Sequence, residues 1–396
     1  MASLDENLDS RPLAGVRVLD LTRLLPGPLA SLALADMGAT VDKLEDPGAG
    51  DYLRHMPPSR DGLNGAFVTL NRDKRGGILD LKHPLGPPTL LRLCRAYDVL
   101  IESFRPGVLA RLGLSHQTLC EANSRLIVCA ITGYGQTGPL AHRAGHDLNY
   151  LARAGVLGVT GPSGGPPSVS GAQIADVAGG ALWAVSAISA ALYARERTGK
   201  GRVIDIAMSE GALPVAAFAL SGVLAADDRT PRGEGYLDGG LAPYRCYQTS
   251  DGGYVALAAL EPKFWLQFCS EVSIEPSMEA LVPGPHQVAL IARLEALFAT
   301  RTRDAWAAVG AQRDCCLEPV LRPDELTRDA HLSARSVFFE RDGQVLFRTP
   351  LASLDGELAH GTSAPRAGQD TREIWADAGF SAAEIDTLLQ DGVVSE

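Results

Sequence analysis

Three titratable side chains lie in apolar surroundings, where an ionisable group is costly unless it has a partner or a function. His146 lies in the stretch RAGHDLNYLARAG, Asp176 begins a long apolar segment, and Glu261 follows a strand-like run just ahead of a proline. A histidine and a carboxylate on opposite sides of one carbon can remove a proton from one face and return it to the other. A second carboxylate beside the histidine would hold its tautomer and orientation. These residue types therefore suit two-base proton exchange.

Each of the three residues also has an ordinary structural interpretation. An aspartate such as Asp176 at a helix start is typical of an N-cap. His146 suits a core histidine with satisfied ring nitrogens, and Glu261 suits a solvated strand end. If Asp176 does begin a helix, backbone N–H groups near it could stabilise the oxygen of an enolate. From local sequence alone both interpretations stay open, and the chain is a candidate acid–base enzyme.

The bulk properties of the chain restrict its class. Its 396 residues, 46% hydrophobic and 21% charged, suit a globular protein of two domains or one large one with an insertion. The net charge of −11 argues against a nucleic-acid partner. Seven cysteines without CxxC spacing predict reduced thiols, a cytoplasmic location and no metal site. We expect neither a signal peptide nor a membrane span, because the N-terminus lacks an apolar core and Pro214 interrupts the longest apolar run.

Short apolar strands alternate with helical stretches from residue 15 onwards. The strand candidates include VRVLDL, TVDKLE, GGILDLK, DVLIESF and RLIVCAITGYG, which predict an α/β domain with a mainly parallel sheet. The alternation predicts a Rossmann-like fold. The segment after the first strand is TRLLPGPLA, which lacks the GxGxxG motif of a dinucleotide site, so a nicotinamide or flavin cofactor is not expected. A long apolar helix is predicted at Asp176–Arg197. Charge, glycine and proline predict a linker at residues 225–241, and a hairpin around Asp-Gly-Gly begins a second unit.

Several long motifs, in order, resemble the class III CoA-transferase and racemase group, also called the CaiB/BaiF family. They are GVRVLDLTRLLPGPLASLALADMGA, LNRDKRGGILDLK, DVLIESFRPGVLARLGL, ITGYGQTGPL and SGAQIADVAGGALWA, and the similarity covers nearly the whole chain. Transferases of this group use one aspartate as nucleophile, whereas its 2-methylacyl-CoA racemases add a GHD motif and a glutamate in a LEP segment. Here the aspartate matches Asp176, the GHD motif is Gly145-His146-Asp147, and the glutamate matches Glu261.

The resemblance implies a racemase or epimerase of 2-methylacyl-CoA, or of related 2-substituted acyl-CoA thioesters, that works through an enolate. It implies His146, Asp176 and Glu261 as catalytic residues, and no cofactor beyond the CoA of the substrate. Arginine forks and aromatic faces suit the phosphates and adenine of CoA. CoA contacts are expected at Leu79, Asp80, Leu81, Lys82, Ser103, Phe104, Arg105, Arg111, Gly145, Asp147, Leu148, Asn149 and Tyr150. The basic cluster Arg72, Lys74 and Arg75 supplies candidate phosphate neighbours.

The resemblance also implies an architecture. It implies a large α/β domain of residues 1–224 and 324–396 and a smaller α+β domain of residues 242–323. It further implies an interlocked homodimer, in which Glu261 would reach His146 across the dimer.

Two alternative functions stay open. The segment Lys43–Arg54 resembles the transferases, and Asp46 stands where the animal racemases carry a CoA-binding arginine. A class III CoA-transferase, with an aspartyl-CoA thioester at Asp176, is therefore the first alternative. An inert acyl-CoA-binding protein on the same scaffold is the second.

Overall fold

The computed structural model describes residues 11–60, 62–354 and 361–396, which fall into two compact units. The first unit holds residues up to 154, Ala172–Val215 and Ser333–Glu396; the second holds Gly155–Gly171 and Ala216–Leu332. This division differs from the predicted boundaries, because 155–171 and the predicted linker at 225–241 both belong to the second unit. Hydrogen bonds join these two segments: Ser163 donates to Glu234 at 2.5 Å, and Arg232 donates to the Gly165 carbonyl.

The strands are short, and most are apolar. They are β1 (Arg17–Asp20), β2 (Thr40–Glu45), β3 (Ser59–Arg60), β4 (Leu63–Asn64), β5 (Lys74–Leu79), β6 (Val99–Glu102), β7 (Ile127–Thr132), β8 (Arg202–Ala207), β9 (Tyr244–Gln248), β10 (Tyr254–Ala258), β11 (Leu317–Pro319), β12 (Phe338–Arg341), β13 (Gln344–Phe347) and β14 (Val394–Ser395).

The α-helices range from one turn to five. They are α1 (Pro26–Asp36), α2 (Gly65–Asn71), α3 (Gly86–Leu93), α4 (Val108–Arg111), α5 (His116–Ala122), α6 (Asp147–Arg153), α7 (Leu182–Thr198), α8 (Met208–Gly211), α9 (Ala217–Ala226), α10 (Pro262–Glu271), α11 (Gln287–Phe298), α12 (Arg303–Gln312), α13 (Ala330–Ala334), α14 (Thr371–Asp377) and α15 (Ala382–Gln390). A π-helical segment, Ala175–Ala181, leads into α7. Single 3₁₀ turns occur at Tyr52–His55, Cys94–Ala96, Val156–Val159, Leu213–Ala216, Met278–Leu281, Pro323–Arg328 and Pro350–Leu354.

A seven-stranded sheet in the order β14-β5-β2-β1-β6-β7-β8 forms the centre of the first unit. Its strands pair in parallel, except for β14, which pairs antiparallel with β5 at the edge. The chain builds outward from β1 to β5 on one side and then crosses to β6 on the other. The loops after β1 and β6 therefore diverge, as at the switch point where α/β sheets bind ligands. The predicted α/β fold with a mainly parallel sheet is confirmed.

The second unit has its own core. Its antiparallel sheet β11-β10-β9 includes the predicted hairpin, whose turn residue Gly252 has a φ of +79°. Four aromatic side chains pack beneath this sheet with ring centroids 4.8 to 5.8 Å apart, and they come from α10, α11 and α12. These fully buried side chains are Trp265, Phe268, Phe298 and Trp306.

Two helical stretches are long and apolar enough to cross a membrane on length and composition alone. They are Ala175–Thr198, with a mean hydropathy of 1.6, and Met208–Ala226, with a mean hydropathy of 1.4. The expectation of no membrane span stays a prediction, because length and composition alone do not test it. Core helices of globular proteins meet the same criterion, and Ala184, Ile188 and Ala191 of the first stretch are buried.

The basic cluster Arg72, Lys74 and Arg75 is not a phosphate site, and this prediction was wrong. Arg72 is fully buried and donates to both carboxylate oxygens of Asp36, at 2.7 and 2.9 Å. Arg75 binds Asp42 with two bonds in the same way, also at 2.7 and 2.9 Å. Lys74 lies 3.2 Å from the buried carboxylate of Asp20 and is covered by protein. Arg72 and Lys74 are buried, and Arg75 also pairs with Glu373 and Asp377, so all three charges are already neutralised by carboxylates of the protein.

Loss of Arg72 should destabilise the protein strongly. The Arg72→Met variant leaves the Asp36 carboxylate buried without its cation, while Asp73 keeps its ion pair with Arg341. We expect a loss of about 3–5 kcal/mol in the free energy of unfolding. Urea denaturation measures this loss. The matched control is Arg372→Met, which removes an exposed pair with Asp386 and should change stability little. Equal losses in the two variants would contradict the structural role of Arg72.

Candidate active site

A cavity of about 1110 Å³ lies at the carboxyl ends of the parallel strands of the first unit. Its wall begins where strands end: Leu21 follows β1, Asp46 follows β2, Asp80 follows β5 and Ser103 follows β6. Because parallel strands all end at one edge, residues far apart in sequence meet there. A cavity of this size is at the upper end of the range for small-molecule and cofactor sites, so it can hold a ligand as large as a cofactor.

Most of the predicted site residues line this one cavity. His146 and Asp176 both contribute to its wall. The predicted CoA contacts that line it are Leu79, Asp80, Leu81, Lys82, Ser103, Phe104, Arg105, Arg111, Gly145, Asn149 and Tyr150. Asp147 and Leu148 are not part of the lining. Glu261 lies in the second unit, exposed, as the N-cap of α10. The roles assigned to all these residues stay predictions.

The GHD motif is held by close packing against Tyr150, which is buried. The Tyr150 hydroxyl donates a hydrogen bond to the carbonyl of Gly145. Its ring meets Tyr134 edge-on, with centroids 5.2 Å apart. A Cβ atom on Gly145 would lie 2.7 Å from Cε1 of this ring, and one on Gly133 would lie 2.3 Å from it. Glycine is therefore required at both positions for the backbone to approach the tyrosine.

His146 is the N-cap of α6, in extended conformation, and its side chain is exposed. Its backbone N–H donates to the Asn149 side-chain oxygen at 3.0 Å. This bond fixes the turn that precedes the helix. Because the His146 side chain is exposed, it is not a core histidine with satisfied ring nitrogens. It contributes to the wall of the cavity.

Asp176 is the second residue of the π-helical segment rather than an N-cap, so the capping interpretation was wrong. Its backbone N–H donates to Asp147 Oδ1 at 3.0 Å, and Val177 N–H donates to the Gln173 carbonyl at 3.0 Å. These two N–H groups are therefore already paired. We expected backbone N–H groups around Asp176 to stabilise an enolate oxygen. The N–H groups of Asp176 and Val177 cannot do so, because each already donates a hydrogen bond within the protein.

The carboxyl group of Asp176 is half-buried beside a second carboxylate. Burial, together with the negative charge of Asp147, raises the pKa of Asp176 from 3.8 to about 6. A carboxyl group with that pKa exchanges protons readily near neutral pH, as an acid or base in catalysis requires. Burial and the nearby Asp176 charge also raise the pKa of Tyr150 to about 12, so its hydroxyl stays a donor to Gly145.

Small residues let the π-helical segment pack tightly against its neighbours. A Cβ atom on Gly179 would lie 2.5 Å from the Met208 carbonyl oxygen, and one on Gly180 would lie 3.2 Å from Cβ of Pro26. The segment therefore touches both α8 and the start of α1. π-helical turns of this kind occur often at functional sites, and here one places Asp176 in the cavity wall.

Cationic side chains slightly outnumber acidic ones in the cavity lining, although the protein is acidic overall. The acidic side chains are Glu45, Asp46, Asp80 and Asp176. Five cationic side chains contribute to its lining: Arg23, Lys82, Arg105, Arg111 and Arg143. Lys82, Arg105 and Arg111 make no ion pair within the part of the chain that the structure describes. Local positive charge of this kind binds anions against the sign of the whole molecule.

Sequence reasoning missed several side chains of the cavity wall, among them Arg23 and Tyr52. The Arg23 guanidinium lies over the Tyr52 ring, 5.0 Å from its centroid, and pairs with Asp46 at 3.4 Å. A signal was present, because Arg23 stands in the loop directly after β1. In α/β proteins that loop contacts the ligand.

Comparison with known proteins identifies the family of the chain. Residues 13–371 match the model of CoA-transferase family III. The chain is 35% identical to human alpha-methylacyl-CoA racemase over 388 residues, covering 96% of this chain and 97% of that protein. It is also 30% identical to mouse succinyl-CoA:glutarate CoA-transferase over 399 residues, covering 98% of this chain and 91% of that protein.

A solved structure is similar throughout. The crystal structure of a CaiB/BaiF family protein from Brucella suis superposes with a TM-score of 0.81 at 31% identity, covering 93% of this chain and 99% of that one. The fold, the cavity at the strand ends and the matched length together define an α/β protein of an acyl-CoA enzyme family. The chain belongs to CoA-transferase family III, which includes relatives named as racemases and as transferases.

The raised pKa of Asp176 should cost stability at neutral pH. The folded protein binds this proton more tightly than the unfolded chain does, so stability falls as pH rises from about 4 to about 6 and is then constant. Asp176→Asn should therefore raise the melting temperature at pH 7 and lose that advantage at pH 4. Thermal unfolding at the two pH values measures it.

Asp147→Asn provides the matched comparison for this effect. It keeps a side-chain oxygen to accept the Asp176 N–H but removes the charge, so the pKa of Asp176 should fall. The pH range in which stability changes should then move down. An Asp176→Asn variant that is equally destabilised at both pH values would contradict the assignment of a strained, raised-pKa carboxyl group.

Proposed function

We propose that this protein is a racemase or epimerase of 2-methylacyl-CoA, or of related 2-substituted acyl-CoA thioesters. The observation that carries the proposal is that His146 and Asp176 line one cavity, with the pKa of Asp176 near 6. A two-base reaction needs two acid–base side chains at one site, and histidine and carboxylate are common choices. The Gly-His-Asp motif and the 35% identity to an alpha-methylacyl-CoA racemase support the choice of substrate class.

The proposed reaction conserves protons. The thioester acidifies the α-carbon, and one group, neutral His146 or ionised Asp176, takes the α-proton from one face. The electron pair of the broken C–H bond moves onto the carbonyl oxygen and forms an enolate. The other group, which carries a proton, then delivers it to the opposite face of the same carbon. The configuration is inverted, and the two side chains have exchanged their protonation states.

We also propose that Glu261 orients His146 across a homodimer. Glu261 is exposed, its carboxylate makes no capping hydrogen bond to α10, and it belongs to the second unit. A carboxylate on one ring nitrogen would fix the tautomer and leave the other nitrogen to exchange the proton.

Transfer of CoA between carboxylic acids is the second candidate function. The 30% identity to a succinyl-CoA:glutarate CoA-transferase and the half-buried Asp176 carboxylate favour it. In that reaction the Asp176 carboxylate attacks the acyl carbonyl and displaces CoA. The CoA thiolate then attacks the aspartyl carbonyl of the resulting mixed anhydride. This gives an aspartyl-CoA thioester and releases the original acyl group as a carboxylate, and an acceptor carboxylate takes CoA from Asp176 by the same two steps in reverse.

Proton NMR in D₂O separates the two functions. With a single-enantiomer 2-methylacyl-CoA and no acceptor acid, we expect the α-proton signal to disappear as optical purity is lost. His146→Ala should abolish the loss of optical purity, because one of the two faces then lacks its acid or base, while CoA affinity stays nearly unchanged. An intact α-proton, with CoA passing to an added acid and a covalent adduct in the mass spectrum, would establish the transferase instead.

Subunit mixing tests the role of Glu261. Neither His146→Ala nor Glu261→Ala homodimers should be active. A mixed dimer of the two variants should regain activity, because one site then combines His146 of one subunit with Glu261 of the other. Mixing each variant with itself is the control. Failure of the mixed dimer to gain activity, once exchange of subunits is verified, would exclude the arrangement across the dimer.

A further inference from the structure

The loop that connects β1 to α1 is fixed on both sides of Arg23 by buried charges. The Thr22 carbonyl accepts a hydrogen bond of 2.7 Å from the Lys43 ammonium, and the Leu24 N–H donates to Asp51 Oδ1 at 3.0 Å. Lys43 and Asp51 are themselves an ion pair at 3.0 Å, and neither side chain is exposed. The backbone on both sides of Arg23 is therefore hydrogen-bonded to the two members of one buried ion pair.

The same loop stores backbone strain directly after Arg23. Leu24 has a φ of +66°, a conformation that non-glycine residues avoid. Strain of this kind persists only where surrounding contacts enforce it, and it occurs often at ligand sites. Here the Leu24 N–H reaches Asp51 in this conformation, and Arg23 and Leu24 both line the cavity.

The Arg23 guanidinium lies between two aromatic rings at the cavity wall. It is 5.0 Å from the centroid of Tyr52 and 5.9 Å from that of Phe104. Tyr52 is itself held in place, because its neighbour Leu53 donates its N–H to Asp51 at 3.0 Å. One buried carboxylate therefore positions both the arginine and the aromatic ring on which it lies.

Arg23 also has donors to spare. Its only ion pair among the described residues is with Asp46, through one nitrogen at 3.4 Å. Both side chains are partly exposed, at 29% for Arg23 and 39% for Asp46, so this pair is weak. A guanidinium has five N–H donors, and its planar edge matches a phosphate.

We propose that Arg23 is a binding residue for a phosphate of the nucleotide half of CoA. The rings of Tyr52 and Phe104 keep the guanidinium at the cavity wall, and the weak pair with Asp46 leaves other N–H donors free for the phosphate. Because the loop is already fixed before the ligand arrives, binding costs little conformational entropy. The inference rests on the CoA-thioester ligand of the proposed function, but it does not depend on which reaction follows.

Calorimetric titration with free CoA tests the proposal. Arg23→Gln should weaken CoA binding about 10- to 100-fold, the effect of losing a hydrogen bond between charged groups. It should also reduce the dependence of CoA affinity on salt concentration, because one screened charge contact is gone. Arg23→Lys should restore part of the affinity, since it keeps the charge but loses the fork.

The matched control is Arg92→Gln in the same unit. Arg92 also lies over an aromatic ring, that of Phe380 at 3.7 Å, and pairs with Glu384 at 2.6 Å, but it is not part of the cavity wall. Its loss should leave CoA affinity unchanged. Melting temperatures of both variants show whether each is folded.

Dephospho-CoA, which lacks the 3′-phosphate, identifies the phosphate concerned. If Arg23→Gln weakens CoA but not dephospho-CoA, Arg23 binds the 3′-phosphate; if it weakens both equally, Arg23 binds the diphosphate. Either result supports the proposal. A folded Arg23→Gln protein with unchanged CoA affinity, or with lower affinity but unchanged salt dependence, would overturn it. Arg23-dependent CoA binding without α-proton exchange would refute the proposed reaction but leave this inference standing.

Discussion

Buried charge pairs are the constraint on which the cavity depends. Lys43 and Asp51 have no contact with solvent, and a buried charge that loses its partner costs several kcal/mol. Each must therefore stay within reach of the other, and each also holds backbone of a cavity loop. The Asp20 carboxylate acts in the same way: it accepts bonds from the Thr22 N–H and hydroxyl, from Ser31 at 2.6 Å, and from the Lys74 ammonium. The loop after β1 is held in place because its backbone is hydrogen-bonded to buried charged side chains, which would be costly to separate from their partners.

A second constraint joins His146 and Asp176, the two residues proposed to exchange the proton. Asp147, which follows His146, accepts the backbone N–H of Asp176, so the GHD motif and the π-helical segment are connected by one hydrogen bond across 29 residues of sequence. The same carboxylate helps to raise the pKa of Asp176. Asp147 therefore both positions the backbone of Asp176 and helps to raise the pKa of its carboxyl group. Tyr150 supports the motif from beneath, through the close approach that only glycine at position 145 permits.

The charges of the protein are divided between two functions. Arg72, Lys74 and Arg75 are near one another in sequence and look like an anion site, but each neutralises a buried carboxylate. The cations that do line the cavity are scattered from Arg23 to Arg143, on loops that follow different strands. An anionic ligand in an acidic protein therefore meets positive charge that the fold assembles from remote positions.

The sequence by itself determined the α/β class and the parallel sheet, because apolar strands alternating with helices leave few other ways to bury their faces. It also singled out His146 and Asp176, because an ionisable group in an apolar segment is costly unless it has a partner or a function. It did not show the edge strand β14 or helix α14, which are short and owe their place to packing on β5. Nor could it show the π-helical turn at Asp176, the burial of Arg72, or the position of Arg23 between two rings. Those features depend on contacts between residues distant in the chain, and only the tertiary structure decides which charges face one another and which face the cavity.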